Sequence, residues 1–77
     1  MIPNDALINY LRTELDYRYK GQSDRVVLYK KRGSTKRLEV RRNTMHDETV
    51  VKVLLRQAGA EPKEIERFIA QYRAATH

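Results

Sequence analysis

The apolar positions of the chain change period along its length, and each change marks a new element. Leu7, Ile8, Leu11 and Leu15 recur at helical spacing after Pro3, with Asn4 or Asp5 placed to accept backbone N–H bonds as an N-cap, which predicts a first helix over residues 5–17. Residues 18–24 lose that period, and Lys20-Gly21-Gln22-Ser23-Asp24 has the polar, glycine-bearing composition of a loop. Val26, Val27, Leu28 and Tyr29 are then β-branched, aliphatic and aromatic in sequence, while Leu38 and Val40 alternate with Arg37, Glu39 and Arg41. Arg32-Gly33-Ser34-Thr35 between them supplies a turn, so the two runs form an antiparallel hairpin with one apolar and one charged face. On its first strand the division stays open: Val26, Leu28 and Lys30, or Val27, Tyr29 and Lys31, face solvent. A third strand has two candidate positions, residues 17–20 and 42–44.

Helical spacing returns after the hairpin. Thr44-Met45-His46-Asp47 fits the Ser/Thr-x-x-acid pattern of a helix start, and Val50, Val51, Leu54, Leu55 and Ala58 make one stripe ending at Gly59, a natural C-terminal cap. Pro62 opens a third helix whose Ile65, Phe68, Ile69 and Tyr72 share a face. The predicted fold is a small α+β domain of order αββ(β)αα, an antiparallel hairpin or three-stranded sheet packed on helices. It occupies residues 1–77 as a single domain, with 1–4 and 74–77 frayed.

Composition limits what this fold does. The 77 residues contain no cysteine and only two distant histidines, His46 and His77, so neither disulfides nor a cysteine-ligated metal site is expected, and no cofactor motif is present. No apolar run reaches the length of a membrane span, and the first residues carry no positive charge, which predicts a cytoplasmic protein without a membrane partner. Sixteen Lys and Arg against ten Asp and Glu give a formal charge of +6. Eight of those sixteen, Arg25, Lys30, Lys31, Arg32, Lys36, Arg37, Arg41 and Arg42, fall on the hairpin, opposed only by Glu39. So local a concentration predicts a surface that meets phosphates, against the plainer role of cations that keep a strand edge from aggregating.

The candidate nucleic-acid-binding set is Tyr29, Lys30, Lys31, Arg32, Ser34, Thr35, Lys36, Arg37, Arg41 and Arg42, with Tyr29 a ring on which a base or ribose stacks in the register that turns it to solvent. His46 is the one weak catalytic candidate, since only histidine titrates unperturbed near neutrality; its plainer role is to cap or pack. The glutamates of the third helix, Glu61, Glu64 and Glu66, stand beside Lys63 and Arg67 and read as surface ion pairs.

Val51-Lys52-Val53-Leu54-Leu55-Arg56-Gln57-Ala58-Gly59, followed by Glu61-Pro62-Lys63-Glu64-Ile65, resembles the second helix, Gln-Ala-Gly ending and acidic helix start of the HicA family of bacterial messenger-RNA-cleaving toxins. The resemblance spans about residues 6–70 and implies a double-stranded-RNA-binding-like fold with an RNA-facing hairpin. Where that family carries a Gly-Ser-His turn whose histidine acts in cleavage, this chain has Gly33-Ser34-Thr35, and it enters the second helix through Glu48-Thr49-Val50 where the family has Gly-Thr. A threonine hydroxyl hydrogen-bonds a phosphate but does not exchange protons near neutrality. The expected activity is therefore binding, RNA in preference to DNA, by a monomer or weak dimer. Two alternatives are a displaced-histidine ribonuclease using His46 and a module whose hairpin docks an acidic, antitoxin-like protein with the third helix completing the interface, a reading that an edge strand or an exposed Phe68 and Tyr72 would favour.

Overall fold

The computed structural model describes residues 1–74, so the expected fraying at the C-terminus, and His77 with it, lies outside the described residues except for Ala74, which is helical. The elements are β1 (Ile2–Pro3), α1 (Asn4–Thr13), β2 (Tyr17–Gln22), β3 (Val26–Lys31), β4 (Arg37–Arg41), β5 (Met45–His46), α2 (Glu48–Ala58) and α3 (Pro62–Ala74). β2, β3 and β4 form an antiparallel sheet in that order, and β1 pairs with β5 in a second, two-stranded one. The α+β class with three helices stands. Of the two candidate third strands, the one at Tyr17 is formed.

The first helix is shorter than its apolar spacing suggests. It ends at Thr13, and Asp16 then adopts a left-handed φ of 59°, a conformation that aspartate tolerates better than most side chains and that a helix cannot continue through. The chain thereby turns into β2 and not into the expected loop. Tyr17 and Tyr19 in alternation carry the strand signal, which the glycine and polar residues after them obscure; a bulge between Tyr19 and Gly21 marks where the strand is irregular. The β2–β3 turn is held by Ser23, whose N–H donates to the Val26 carbonyl at 2.9 Å.

The sheet is covered on one face. In antiparallel register Tyr29 stands opposite Leu38 and Val27 opposite Val40, and these share a face with Tyr17; Leu28 pairs Glu39 and Lys30 pairs Arg37 on the other. Tyr17, Tyr29, Leu38 and Val40 are buried under Leu7 and Leu11 of α1 and Val51, Leu54, Leu55 and Ala58 of α2. α1 lies against β2 and α2 against β4, while α3 closes on α2 and, through the Tyr10 and Phe68 rings at 4.8 Å, on α1. A single buried hydrogen bond, Tyr17 hydroxyl to the Ala58 carbonyl at 3.0 Å, ties β2 to the last turn of α2. Gly59 ends that helix with φ 100°, the left-handed cap predicted for it.

Two expected ends differ. Residues 1–4 are not frayed: Ile2 is buried opposite His46, and the Asn4 N–H donates to the Thr44 carbonyl at 2.8 Å. Pro3, extended at φ −61° and ψ 140°, takes the position before α1, so the Asn4 side chain is released from capping. The second helix begins at Glu48 and not at the Thr44 pattern, because Met45 and His46 are drawn into β5; Asp47 is the cap, its Oδ1 accepting from the Thr49 N–H at 3.3 Å.

Candidate nucleic-acid interface

The eight hairpin cations lie at the surface, with Lys30 and Lys31 half-buried and the others exposed. None of them is ion-paired among the described residues. Four carboxylates are ion-paired away from the hairpin, Asp16 by Arg18, Glu64 by Arg67, and Glu48 and Glu66 by Lys52 and Arg73, while Glu39 on the hairpin and Asp24 beside it make no ion pair among the described residues. The Arg73 guanidinium lowers the Glu48 carboxyl below its usual range, chiefly by hydrogen bonding to it. Ion pairing among the described residues is thus concentrated on α2 and α3 and absent from the hairpin.

Strand register divides the cations into two groups. At the turn end, Arg18, Lys30 and Arg37 stand opposite one another across β2, β3 and β4 on the uncovered face. Lys31 and Lys36 form the next rung on the helix side, where the Lys31 N–H donates to the Lys36 carbonyl at 3.0 Å, and Arg32 projects from the turn. At the root, Arg41 pairs Val26, and the Arg42 N–H donates to the Arg25 carbonyl. Leu28 and Glu39 separate the groups on the open face, and four residues of strand place Arg37 about 13 Å from Arg41. Like charges directly opposite one another across an antiparallel pair are destabilising, so the Lys30–Arg37 rung works against the hairpin unless an anion joins it.

The turn that carries the remaining candidates is built by its own side chains. Gly33 has φ 72°, the left-handed conformation for which glycine is suited, and Ser34 Oγ accepts from the Lys36 N–H at 3.1 Å. Ser34 thereby keeps only its hydroxyl proton for an outside acceptor, while Thr35 is exposed and free to donate. The Arg32 N–H donates to the Asp16 carbonyl at 2.9 Å, fixing the turn against the entry to β2. Arg42 is partly structural, since its Nη1 donates to the Ser23 carbonyl at 3.2 Å.

These placements decide three readings left open by the sequence. Tyr29 is no stacking surface: it is 8% exposed, and its register opposite Leu38 turns it into the core, where burial also raises its phenol pKa. The exposed ring is its cross-strand neighbour Tyr19, 61% exposed, meeting Tyr29 edge-on at 6.4 Å and flanked in sequence by Arg18 and Lys20. Arg18 and Tyr19 escape sequence reasoning because they lie on the strand that reads as loop. His46 is buried, with Nε2 2.8 Å from Asn4 Oδ1, and burial pushes its pKa below 6.5; it reaches neither the turn nor solvent and is a packing residue. Phe68 is buried and Tyr72 half-buried in a ring stack with it, so of the two signs that would favour a protein-docking module the exposed rings are missing and the edge strand, β4, is present.

Among the described residues no helix is long and apolar enough to cross a membrane. Comparison with protein-family models, curated proteins and solved structures finds no match to this chain.

Proposed function

We propose that this domain binds the sugar–phosphate backbone of a nucleic acid, RNA in preference to DNA, on the open sheet face and turn of the β3–β4 hairpin. One observation carries the reading: eight hairpin cations lack a carboxylate partner among the described residues, while Glu48, Glu64 and Glu66 of α2 and α3 pair with Lys52, Arg67 and Arg73 of the same two helices. Lys30, Arg37 and Arg32 form the primary contact, Arg25 and Arg41 a second one further along the strands, and Thr35 donates a neutral hydrogen bond between the turn and a phosphate oxygen. Tyr19 supplies an exposed ring on the neighbouring rung, at the β2 edge of the opposite face.

The preference for RNA rests on the likeness to the HicA toxins. Cleavage is not proposed, because Thr35 stands where that family's histidine would and His46 is enclosed by the β1–β5 pair. A cytoplasmic location belongs to the same reading.

Fluorescence anisotropy with labelled single- and double-stranded RNA and DNA of one sequence tests it. With about six phosphate contacts, affinity for a duplex falls on the order of a thousandfold between about 50 and about 200 mM salt. Absence of binding, or binding indifferent to salt, overturns the proposal.

A further inference from the structure

β4 is the open edge of the three-stranded sheet. The hydrogen-bonded rungs at Lys31–Lys36 and Arg25–Arg42 fix the alternation between them, so Leu38 and Val40 direct their backbone groups to β3 while Arg37, Glu39 and Arg41 direct theirs outward. The Arg41 carbonyl accepts from the Asn43 N–H. The outward N–H and C=O of Arg37 and Glu39 have no partner among the described residues. The opposite edge, β2, is interrupted by its bulge, a common guard against strand addition; β4 runs regularly over its five residues.

Beside this edge lies an apolar surface that the core does not use. Val50, expected in the buried stripe of α2, is 46% exposed, and Val53 is 52% exposed. With Thr49, Leu54 and Gln57 they line a groove whose other wall is β4 at Glu39. Unpaired strand groups next to an apolar groove match what strand addition uses: main-chain hydrogen bonds for affinity and alternate side chains for selection.

We propose that β4 and the Val50–Val53 stripe of α2 dock an extended peptide segment that alternates acidic and apolar side chains. The register dictates the pattern. Residues opposite Arg37 and Arg41 point to the open face and are acidic, while those opposite Leu38 and Val40 point to the helix side and lie on Val50 and Val53. The residue opposite Glu39 is uncharged. A second copy of the chain is the poorer occupant, since it would lay another hairpin of eight cations and one carboxylate beside the first. This inference does not depend on the nucleic-acid reading, although Arg37 and Arg41 serve both.

The test is an NMR titration of the full chain with the capped peptide Thr-Glu-Val-Thr-Val-Glu-Thr and with a scrambled peptide of the same composition whose glutamates are adjacent. The alternating peptide produces saturable shifts at the Arg37, Glu39 and Arg41 amides and the Val50 and Val53 methyls, and binds about tenfold more tightly than the scrambled one. Val53→Glu, on an exposed position, weakens it about tenfold. Glu39→Pro abolishes it by removing an outward N–H without touching the β3 pairing, although it also removes a negative charge that disfavours the peptide. Equal binding of the scrambled peptide, or shifts confined to Arg18 and Lys30, reduces the effect to polyanion attraction and overturns the proposal. The same shifts appearing with protein concentration alone would assign the groove to a second copy, and RNA moving the valine methyls while the peptide does not would assign it to nucleic acid.

Discussion

His46 Nε2 and Asn4 Oδ1 lie 2.8 Å apart across 42 residues of sequence, joining the strand before α2 to the first turn of α1. With the Asn4 carbonyl oxygen as acceptor, Nε2–H is the donor, and burial disfavours adding a second proton to the ring. Burial lowers the folded pKa below 6.5, so the unfolded chain binds a proton more readily than the folded one. The stability this site contributes is complete above the unfolded value and is lost as pH falls through 6.5 toward the lower folded value. Urea unfolding from about pH 7.5 to about pH 5.5 should show falling stability in the wild type and a flatter profile in His46→Gln, which can still donate to Asn4 but does not titrate. Equal slopes would remove His46 as the source.

The Tyr17 hydroxyl is the buried link between β2 and the end of α2. Tyr17→Phe keeps the ring and its packing but leaves the Ala58 carbonyl without this donor, at a cost of about 1–3 kcal/mol. A shift in the urea midpoint with an unchanged slope is the expected signature. No shift would mean that the carbonyl finds another donor.

Gly59 adopts φ 100° with room around it, the nearest atom to an added Cβ being Lys36 Nζ at 3.8 Å. Gly59→Ala is therefore strained by its backbone and not by crowding, and should lose about 1–2 kcal/mol. Thermal denaturation reads this directly, and Gly21→Ala, at a position with nothing near an added Cβ and no left-handed φ, is the comparison that should cost much less.

The sequence makes legible those elements whose signals are local. Gly59 and Pro62 bracket the second and third helices, and Gly33 sets the hairpin turn, because a left-handed φ or a missing N–H constrains each position whatever surrounds it. Misread positions depend on partners distant in the chain. Ile2 and His46 form strands only because they meet each other, Tyr17 and Tyr19 extend because β3 offers them an edge, and Tyr29 turns inward because of its register with Leu38. The charge of the candidate site was visible as a count; its division into two groups follows from pairing that no local pattern contains.

Tyr19 and Tyr29 make a paired test of where a base can stack. Tyr19→Ala removes an exposed ring, so stability should change by less than about 0.5 kcal/mol while affinity for single-stranded RNA falls by about 1–3 kcal/mol. Tyr29→Ala opens the core and should cost about 3–5 kcal/mol of stability, as for other large buried aromatics. Unchanged RNA affinity in Tyr19→Ala would assign binding to phosphates alone.

The division of the hairpin cations yields a prediction about binding that their number alone does not. If one nucleic acid spans both groups, removing two cations at either end should lower the slope of log affinity against log salt by about 1.8 on a duplex, because each lost phosphate contact removes about 0.9. Lys30→Ala with Arg37→Ala tests the turn end, and Arg25→Ala with Arg41→Ala tests the root. Arg56→Ala with Arg67→Ala, on the helices, removes the same formal charge away from the sheet and should leave the slope nearly unchanged. The turn-end pair has a second signature: relieving the directly opposed Lys30 and Arg37 should leave the thermal midpoint equal or higher even as affinity falls. An effect confined to the turn end would limit the footprint to that group, and equal effects in all three pairs would reduce the interaction to net charge.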